Sequence, residues 1–135
     1  MLVEDNLDHI FIAKEAFRET QSAAQLHVVQ DGLDALKFIN QESPFDEVPF
    51  PDLILLDLNL PRKDGREVLA EIRKEGNPVP VIVFTSSAAQ QDIDLCYQLQ
   101  ANCYIAKPVG FDKYVDTFRI IEEFWLKICK LPSHC

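Results

Sequence analysis

Apolar residues are concentrated in five short runs along the chain, separated by longer segments of mixed polarity. Two of these runs, 53–56 and 79–84, contain no polar or charged side chain. A strand that is apolar at every position is buried on both faces, which is typical of the centre of a parallel sheet. Shorter β-prone runs at 1–3, 25–29 and 103–106 predict three more strands.

A helix is predicted after each strand, because apolar residues there recur at intervals of three and four. The first helix has Ile10, Ala13 and Phe17 on one face, and Asn6 or Asp8 can cap its start. The other helices are predicted at 33–39, between Gly65 and Gly76, at 88–99, and from Phe111 to about Leu131.

The alternation of strand and helix, repeated five times with short connections, predicts an α/β fold. Right-handed crossovers then give a doubly wound parallel sheet with helices on both faces, in three layers. The segment 40–52 is a loop by this prediction, because it contains three prolines. A chain of 135 residues without a linker predicts one domain, residues 1–131, followed by a short tail, 132–135.

Composition narrows the classes of function. The formal net charge of −9 argues against direct binding of nucleic acid or of an anionic membrane. No apolar run approaches the roughly 20 residues that span a bilayer, and the first residues do not resemble a signal peptide. These features predict a cytoplasmic protein.

Cysteines and histidines are too scattered to predict a metal site or a disulfide framework. The four cysteines form no CxxC pair and are interpreted as reduced thiols. The three histidines have no metal-ligand spacing and are interpreted as ordinary surface or core residues. These residues are Cys96, Cys103, Cys129 and Cys135, and His9, His27 and His134.

Polar residues follow four of the predicted strands: Glu4 and Asp5, then Asp57, then Thr85, then Lys107. Taken alone, Asp57 is either a turn or helix-cap acid or a reactive centre. The carboxyl ends of parallel strands share one edge of the sheet, where α/β folds bind ligands. Carboxylates gathered there would repel one another by several kcal/mol per pair, about 4 at an intermediate dielectric. A cationic partner is therefore required.

Lys107 supplies one positive charge, and a hard divalent cation such as Mg²⁺ would supply two more and prefers oxygen ligands. Asp57 and one of Glu4 or Asp5 are suited to bind it directly. The backbone carbonyl of Asn59 can add a third ligand.

This set of groups suits attack on a phosphoryl group. Asp57 would be the nucleophile and would become an aspartyl phosphate. The metal and Lys107 would neutralise the phosphoryl oxygens, and Thr85 would donate a hydrogen bond to one of them.

The same residues carry a family resemblance that covers nearly the whole chain. An acidic pair after the first strand, a single Asp after the third, Thr/Ser after the fourth and Lys-Pro after the fifth resemble the receiver domains of two-component response regulators. The resemblance implies a flavodoxin-like (βα)5 fold with strand order 2-1-3-4-5. It also implies that Asp57 accepts phosphate from a phosphohistidine on a sensor histidine kinase, with Mg²⁺ or Mn²⁺ as cofactor. Its only catalysis would be its own phosphorylation and dephosphorylation.

The resemblance assigns roles to further positions. It implies a cis peptide at Lys107–Pro108 that aims the lysine at the phosphate. The switch pair falls on Thr85 and Tyr104, with the Thr85 hydroxyl pulled inward on phosphorylation and the Tyr104 ring turning in after it. The positions that tune hydrolysis of the acyl phosphate are Asn59 and Ser87.

A narrower resemblance concerns the partner. The stretch LLDLNLPRKDGREVLAEIRK and the ending FWLKICKLP look like the stand-alone receivers that partner cyanobacterial phytochrome histidine kinases. It implies a receiver with no output domain and no DNA binding. Only three residues precede Glu4, so the first strand is short by the standard of the family.

The last predicted helix has an apolar arc wider than docking on one sheet face requires. The excess lies either under the tail or in an exposed patch. We expect a symmetric homodimer through this helix and the last strand. The residues assigned to that surface are Tyr104, Phe111, Tyr114, Phe118, Phe124 and Trp125.

Two other functions compete with the receiver. A Mg²⁺-dependent phosphohydrolase with Asp57 as nucleophile would usually have a second acid two residues later, where this chain has Asn59, and a cap domain. An interaction module with a vestigial site would not need the complete set of acceptor, acidic pair, hydroxyl and lysine.

Overall fold

The computed structural model describes residues 1–133, and it contains five strands and five α-helices in strict alternation. The strands are β1 (Leu2–Val3), β2 (Val28–Val29), β3 (Ile54–Leu56), β4 (Val81–Thr85) and β5 (Cys103–Ala106). The helices are α1 (Leu7–Glu19), α2 (Gly32–Ile39), α3 (Gly65–Lys74), α4 (Gln90–Gln98) and α5 (Phe111–Ile121).

All strand pairs are parallel and the order in the sheet is β2-β1-β3-β4-β5, which confirms the predicted fold. The central strand β3 lies between β1 and β4, with Leu55 in register with both Leu2 and Ile82. The most apolar runs of the sequence therefore occupy the middle of the sheet, where both faces are covered.

Alternate residues of the strands face two separate layers of helices. Ile54 and Leu56 belong to a core cluster with residues of α2, α3 and α4, whereas Leu55 belongs to a second cluster with residues of α1 and α5. This alternation follows from the two-residue period of a strand. It also explains why no position of β3 is polar.

Side-chain caps fix the start of three helices close to the carboxyl edge of the sheet. Asn6 Oδ1 accepts hydrogen bonds from two amides of α1, and Asp31 and Asp64 cap α2 and α3 in the same way. At the start of α3, a Cβ on Gly65 would lie 2.2 Å from the carbonyl oxygen of Asp57. The absence of a side chain there lets α3 begin directly against the backbone of the strand-end residue.

The last helix ends earlier than the predicted Leu131. After α5 the chain continues as a π-helical segment, Glu122–Ile128, in which the Cys129 amide donates to the Phe124 carbonyl five residues back. The helical segment ends at Ile128, and Cys129 is already in extended geometry. Of the predicted tail 132–135, His134 and Cys135 lie outside the described residues.

Two residues assigned to a dimer surface lie instead in the core. Tyr114 and Phe118 are each 4% exposed and pack on Phe84, with ring centroids 5.7 and 5.8 Å apart. They sit on the inner face of α5, since they recur at a spacing of four and are large enough to reach the sheet. The prediction was wrong for these two positions.

Two sequence expectations concern the chain as a whole. Among residues 1–133, the cysteines at 96, 103 and 129 are free thiols, as expected. Over the same residues, no helix is both long enough and apolar enough to cross a bilayer.

Candidate functional site

The polar strand ends converge at the carboxyl edge of the sheet, and hydrogen bonds of the strand ladder position them. The amide of Glu4 donates to Val29, that of Asp57 to Val3 and that of Lys107 to Thr85. Each functional side chain thus leaves a backbone that is paired to the next strand.

Lys107 connects the converging groups. Its Nζ donates to Oδ2 of Asp57 at 2.9 Å, to Oε1 of Glu4, and to Nδ1 of His9 at 3.0 Å. Only 5% of the Lys107 side chain is exposed. An ammonium has three N–H donors, and here each has one acceptor.

Asp57 is buried and receives hydrogen bonds on both carboxylate oxygens. The Thr85 hydroxyl donates to Oδ1 at 2.7 Å, and the Asn59 amide donates to the same oxygen at 3.3 Å. Burial alone would raise the pKa of Asp57, but the hydrogen bonds from Thr85 and Lys107 outweigh it and lower the pKa below its usual value. Asp57 is therefore ionised at neutral pH, the form in which a carboxylate is nucleophilic.

Glu4 has the opposite shift. Burial, together with the nearby negative charge of Asp57, raises the pKa of Glu4 above its ordinary value despite the contact with Lys107. Burial would lower the pKa of Lys107, but its contacts with Glu4 and Asp57 raise it. Lys107 is thus a fixed positive charge between two carboxylates.

An acidic cluster of suitable size for a divalent cation lies beside this lysine. Glu4, Asp5 and Asp57 each place one carboxylate oxygen within 4.8 Å of the others, with Glu4 and Asp57 buried and Asp5 exposed. Hard oxygen donors of this kind fit Mg²⁺ or Mn²⁺. The exposed Asp5 leaves one side of the cluster open to solvent.

Comparison with known proteins identifies this arrangement. The family model of the response regulator receiver domain matches residues 1–119. The chain belongs to this family. A curated relative, response regulator Rcp1 of Synechocystis sp., is 39% identical over 98% of this chain and 92% of its own length.

Two solved structures support the same conclusion. The phosphorylated cyanobacterial phytochrome response regulator RcpA is 42% identical, with a TM-score of 0.90 over 98% of this chain and 96% of that one. The Mn²⁺-bound form of Rcp1 is 39% identical, with a TM-score of 0.88 and the same coverage of both chains. The receiver domain described here shares their fold almost from end to end.

In this receiver domain, both members of the predicted switch pair point inward. Thr85 is fully buried with its hydroxyl on Asp57. Tyr104 is half-buried against the core, and its hydroxyl donates to the carbonyl oxygen of Ser87 at 2.8 Å. Burial raises the pKa of the Tyr104 phenol.

Ser87, one of the two predicted tuning positions, has its side chain held by a neighbouring helix. Its hydroxyl donates to Oδ2 of Asp92 in α4 at 2.6 Å, and Arg66 of α3 donates to the other oxygen of Asp92 at 2.8 Å. These contacts anchor the β4–α4 connection to α3. The pairing of Arg66 with Asp92 has no sequence signal, because 26 residues separate them.

The predicted cis peptide is absent from the receiver site. Among residues 1–133, the cis bond is Ser43–Pro44 in the long loop, and Lys107–Pro108 is not cis. The lysine reaches Asp57 and Glu4 without it, since the Lys107 amide is fixed to Thr85 at 2.7 Å and the long side chain spans the rest. The expectation for Pro108 was wrong.

The sequence interpretation also missed His9. It lies in the first turn of α1, and it reaches Lys107 because α1 begins immediately after the acidic pair. The available sequence signal was the position of His9, which follows Asp5 by about one helical turn. The interpretation discarded it because it considered histidines only as metal ligands.

Proposed function

We propose that this receiver domain accepts a phosphoryl group on Asp57 from a sensor histidine kinase and thereby changes its binding to partners. The observation that supports it most directly is the position of Lys107, which contacts both Asp57 and Glu4 while Thr85 holds the other oxygen of Asp57. An ordinary surface carboxylate would not be held by buried hydrogen bonds of this kind.

In the proposed reaction, an oxygen of ionised Asp57 forms a bond to phosphorus while the bond from phosphorus to the donor nitrogen breaks. Lys107 stabilises the negative charge on the phosphoryl oxygens. The Thr85 hydroxyl turns from the carboxylate to the bound phosphoryl group. Tyr104 already points inward, so phosphorylation would hold its ring there through the loop that carries Ser87. Asn59, whose amide contacts Asp57, and Ser87, in the loop after Thr85, would tune hydrolysis.

Mg²⁺ is the proposed cofactor, with Mn²⁺ as substitute. The residues that would hold it are Glu4, Asp5 and Asp57, with the backbone carbonyl of Asn59 as a further ligand. The Mn²⁺-bound structure of Rcp1 supports the choice of cation. When bound, the ion supplies charge neutralisation for the incoming phosphoryl group.

Incubation with acetyl phosphate and Mg²⁺, followed by intact-mass spectrometry, tests the acceptor. We expect one adduct of about 80 Da, the mass of a phosphoryl group, in the wild type. Asp57→Asn should take none, whereas Asp52→Asn, at the opposite end of the same strand, should take one. An adduct that persists in Asp57→Asn would overturn the assignment, and continuous release of many equivalents of phosphate would favour a phosphohydrolase.

The kinase partner is proposed to be of the phytochrome type. The support is the similarity to RcpA, a cyanobacterial phytochrome response regulator. Such a kinase uses ATP, so the proposal places this receiver in the cytoplasm, with protein contacts rather than DNA as its output. Phosphotransfer from a purified phytochrome kinase should be faster than from an unrelated sensor kinase, and equal rates would contradict this choice of partner.

The homodimer is also a proposal, with a surface revised by the structure. Ile120, Phe124 and Ile128 are 68%, 48% and 62% exposed and recur every four residues along α5 and the π-helical segment that follows it. Phe111 is also exposed, whereas Tyr104 and Trp125 are partly buried. An exposed apolar stripe of this length favours a second copy as its partner.

Sedimentation with a matched pair of variants tests the dimer. Ile120→Glu should make the protein monomeric at high micromolar concentration. Phe11→Glu on α1, at a position of similar exposure, should leave the dimer intact. A wild type that stays monomeric with and without beryllofluoride would refute the proposal.

A further inference from the structure

His9 lies in a closed ring of hydrogen bonds around the loop between β1 and α1. The Asn6 amide donates to Oε2 of Glu4 at 3.1 Å, and the His9 amide donates to Oδ1 of Asn6 at 3.1 Å. Lys107 then closes the ring by donating to Nδ1 of His9 and to the other oxygen of Glu4. The position of the imidazole is therefore set by the same loop that presents the acidic pair.

The contact with Lys107 fixes which ring nitrogen carries the hydrogen. An ammonium group only donates, so Nδ1 of His9 accepts and its hydrogen is on Nε2. About a third of the His9 side chain is exposed. Nδ1 lies 3.0 Å from a buried ammonium, a contact that an ordinary histidine on a solvated helix surface does not need.

We propose that His9 is a positioning residue for Lys107. It holds the ammonium in place when the carboxylates of Glu4 and Asp57 bind a cation. Of the three acceptors on Lys107, two belong to the acidic cluster and are shared with any cation bound there. His9 is outside that cluster, so a cation bound there does not take Nδ1 of His9 away from Lys107. This inference rests on the proposed role of Lys107 in phosphorylation.

An isosteric pair of variants separates hydrogen bonding from packing. Asparagine can place a side-chain acceptor near the position of Nδ1, and leucine has a similar volume without an acceptor. We expect His9→Leu to phosphorylate about fivefold more slowly with acetyl phosphate at saturating Mg²⁺, as loss of one hydrogen bond implies. His9→Asn should restore most of the rate. Phe11→Leu, on the same helix and away from the lysine, should match the wild type.

Nuclear magnetic resonance of the lysine ammonium gives a readout that does not depend on phosphorylation. In the wild type, Lys107 should show a slowly exchanging side-chain N–H₃ signal, which shifts and exchanges faster in His9→Leu but not in His9→Asn. Thermal melts confirm that both variants are folded.

The outcomes distinguish this inference from the proposed function. A wild type that takes no phosphoryl group would overturn the proposed function, while the ammonium signal would still report on the contact with His9. A wild type that is phosphorylated, together with His9→Leu at the same rate, would overturn the positioning role. Equal slowing in His9→Leu and His9→Asn would also overturn it, because packing alone would then explain the effect.

Discussion

The hydroxyl of Thr85 donates a hydrogen bond of 2.7 Å to Oδ1 of Asp57, across the gap between two adjacent parallel strands. Both groups are buried, so neither can exchange this bond for water. The contact contributes to the lowered pKa of Asp57 and links the acceptor to the loop that carries Ser87.

Replacing Thr85 by valine removes this bond while it keeps the shape of the side chain. We expect the free energy of unfolding to fall by about 1 kcal/mol, and the pKa of Asp57 to rise because one stabilising donor is lost. Beryllofluoride should still bind but should no longer restrain the Tyr104 ring, as measured by tyrosine exchange cross-peaks. Thr85→Ser keeps the hydroxyl and is the control, and an unchanged Tyr104 response in Thr85→Val would contradict the coupling.

Lys107 competes with a cation for the carboxylates of Glu4 and Asp57, which it contacts directly. Lys107→Met should therefore bind Mg²⁺ about tenfold more tightly, since removal of a neighbouring positive charge strengthens cation binding. The same variant should phosphorylate more slowly. Calorimetric titration measures the affinity, with Lys63→Met as the control because Lys63 pairs with Glu71 outside the site. Weaker Mg²⁺ binding in Lys107→Met would contradict the prediction.

Gly65 has no space for a side chain, because a Cβ would lie 2.2 Å from the Asp57 carbonyl oxygen and 2.7 Å from Cα of Leu58. Gly65→Ala must push α3 away from the strand end, and we expect a loss of stability of about 2 kcal/mol. Phosphorylation of Asp57 should slow as well. Denaturant titration and acetyl phosphate kinetics measure the two effects. Glu67→Ala, at an exposed position of the same helix, should change neither.

Arg73 joins the amino edge of the sheet to the loop after α4. Its guanidinium donates to the carbonyl oxygens of Asn77, Val79 and Gln100 and to the side chain of Asn102, at 2.8–2.9 Å. Arg73→Ala removes the donor from all four groups, of which, among residues 1–133, only Asn102 keeps another partner, the Val81 amide. We therefore expect a loss of about 2–4 kcal/mol in the free energy of unfolding.

The control for Arg73 is Arg18, which also pairs through its guanidinium but on an exposed helix face. It contacts Glu15 at 2.9 Å with 75% of its side chain exposed. Arg18→Ala should cost less than about 1 kcal/mol. Similar losses in the two variants would show that burial does not decide the contribution of these arginines.

The pKa of Asp57 gives stability a defined dependence on pH. Because this pKa is lower in the folded protein than the ordinary 3.8, the carboxylate stabilises the fold at pH values above 3.8. The contribution is lost as the pH falls through the lowered pKa. The stability difference between the wild type and Asp57→Asn should therefore shrink in this acidic range, as measured by urea titration at several pH values. A constant difference across that range would contradict the shift.

The sequence by itself determined the sheet and the residues at its carboxyl edge. The apolar runs of β3 and β4 required burial on both faces, and parallel strands place their carboxyl ends together. Asp57, Thr85 and Lys107 were therefore predictable as neighbours before any coordinates, as were the acidic residues after β1. Local chemistry left Asn6 or Asp8 as the cap of α1, and the structure shows that Asn6 is the cap.

Only the tertiary structure decided which face each side chain presents and which distant residues meet. A periodic pattern gives an apolar arc but not its orientation, so Tyr114 and Phe118 were expected outside and lie in the core. The contact of His9 with Lys107 joins residues 98 apart, and it depends on how α1 packs beside α5, the helix that follows Lys107. Local sequence constrains each element, whereas these features depend on the contacts between elements.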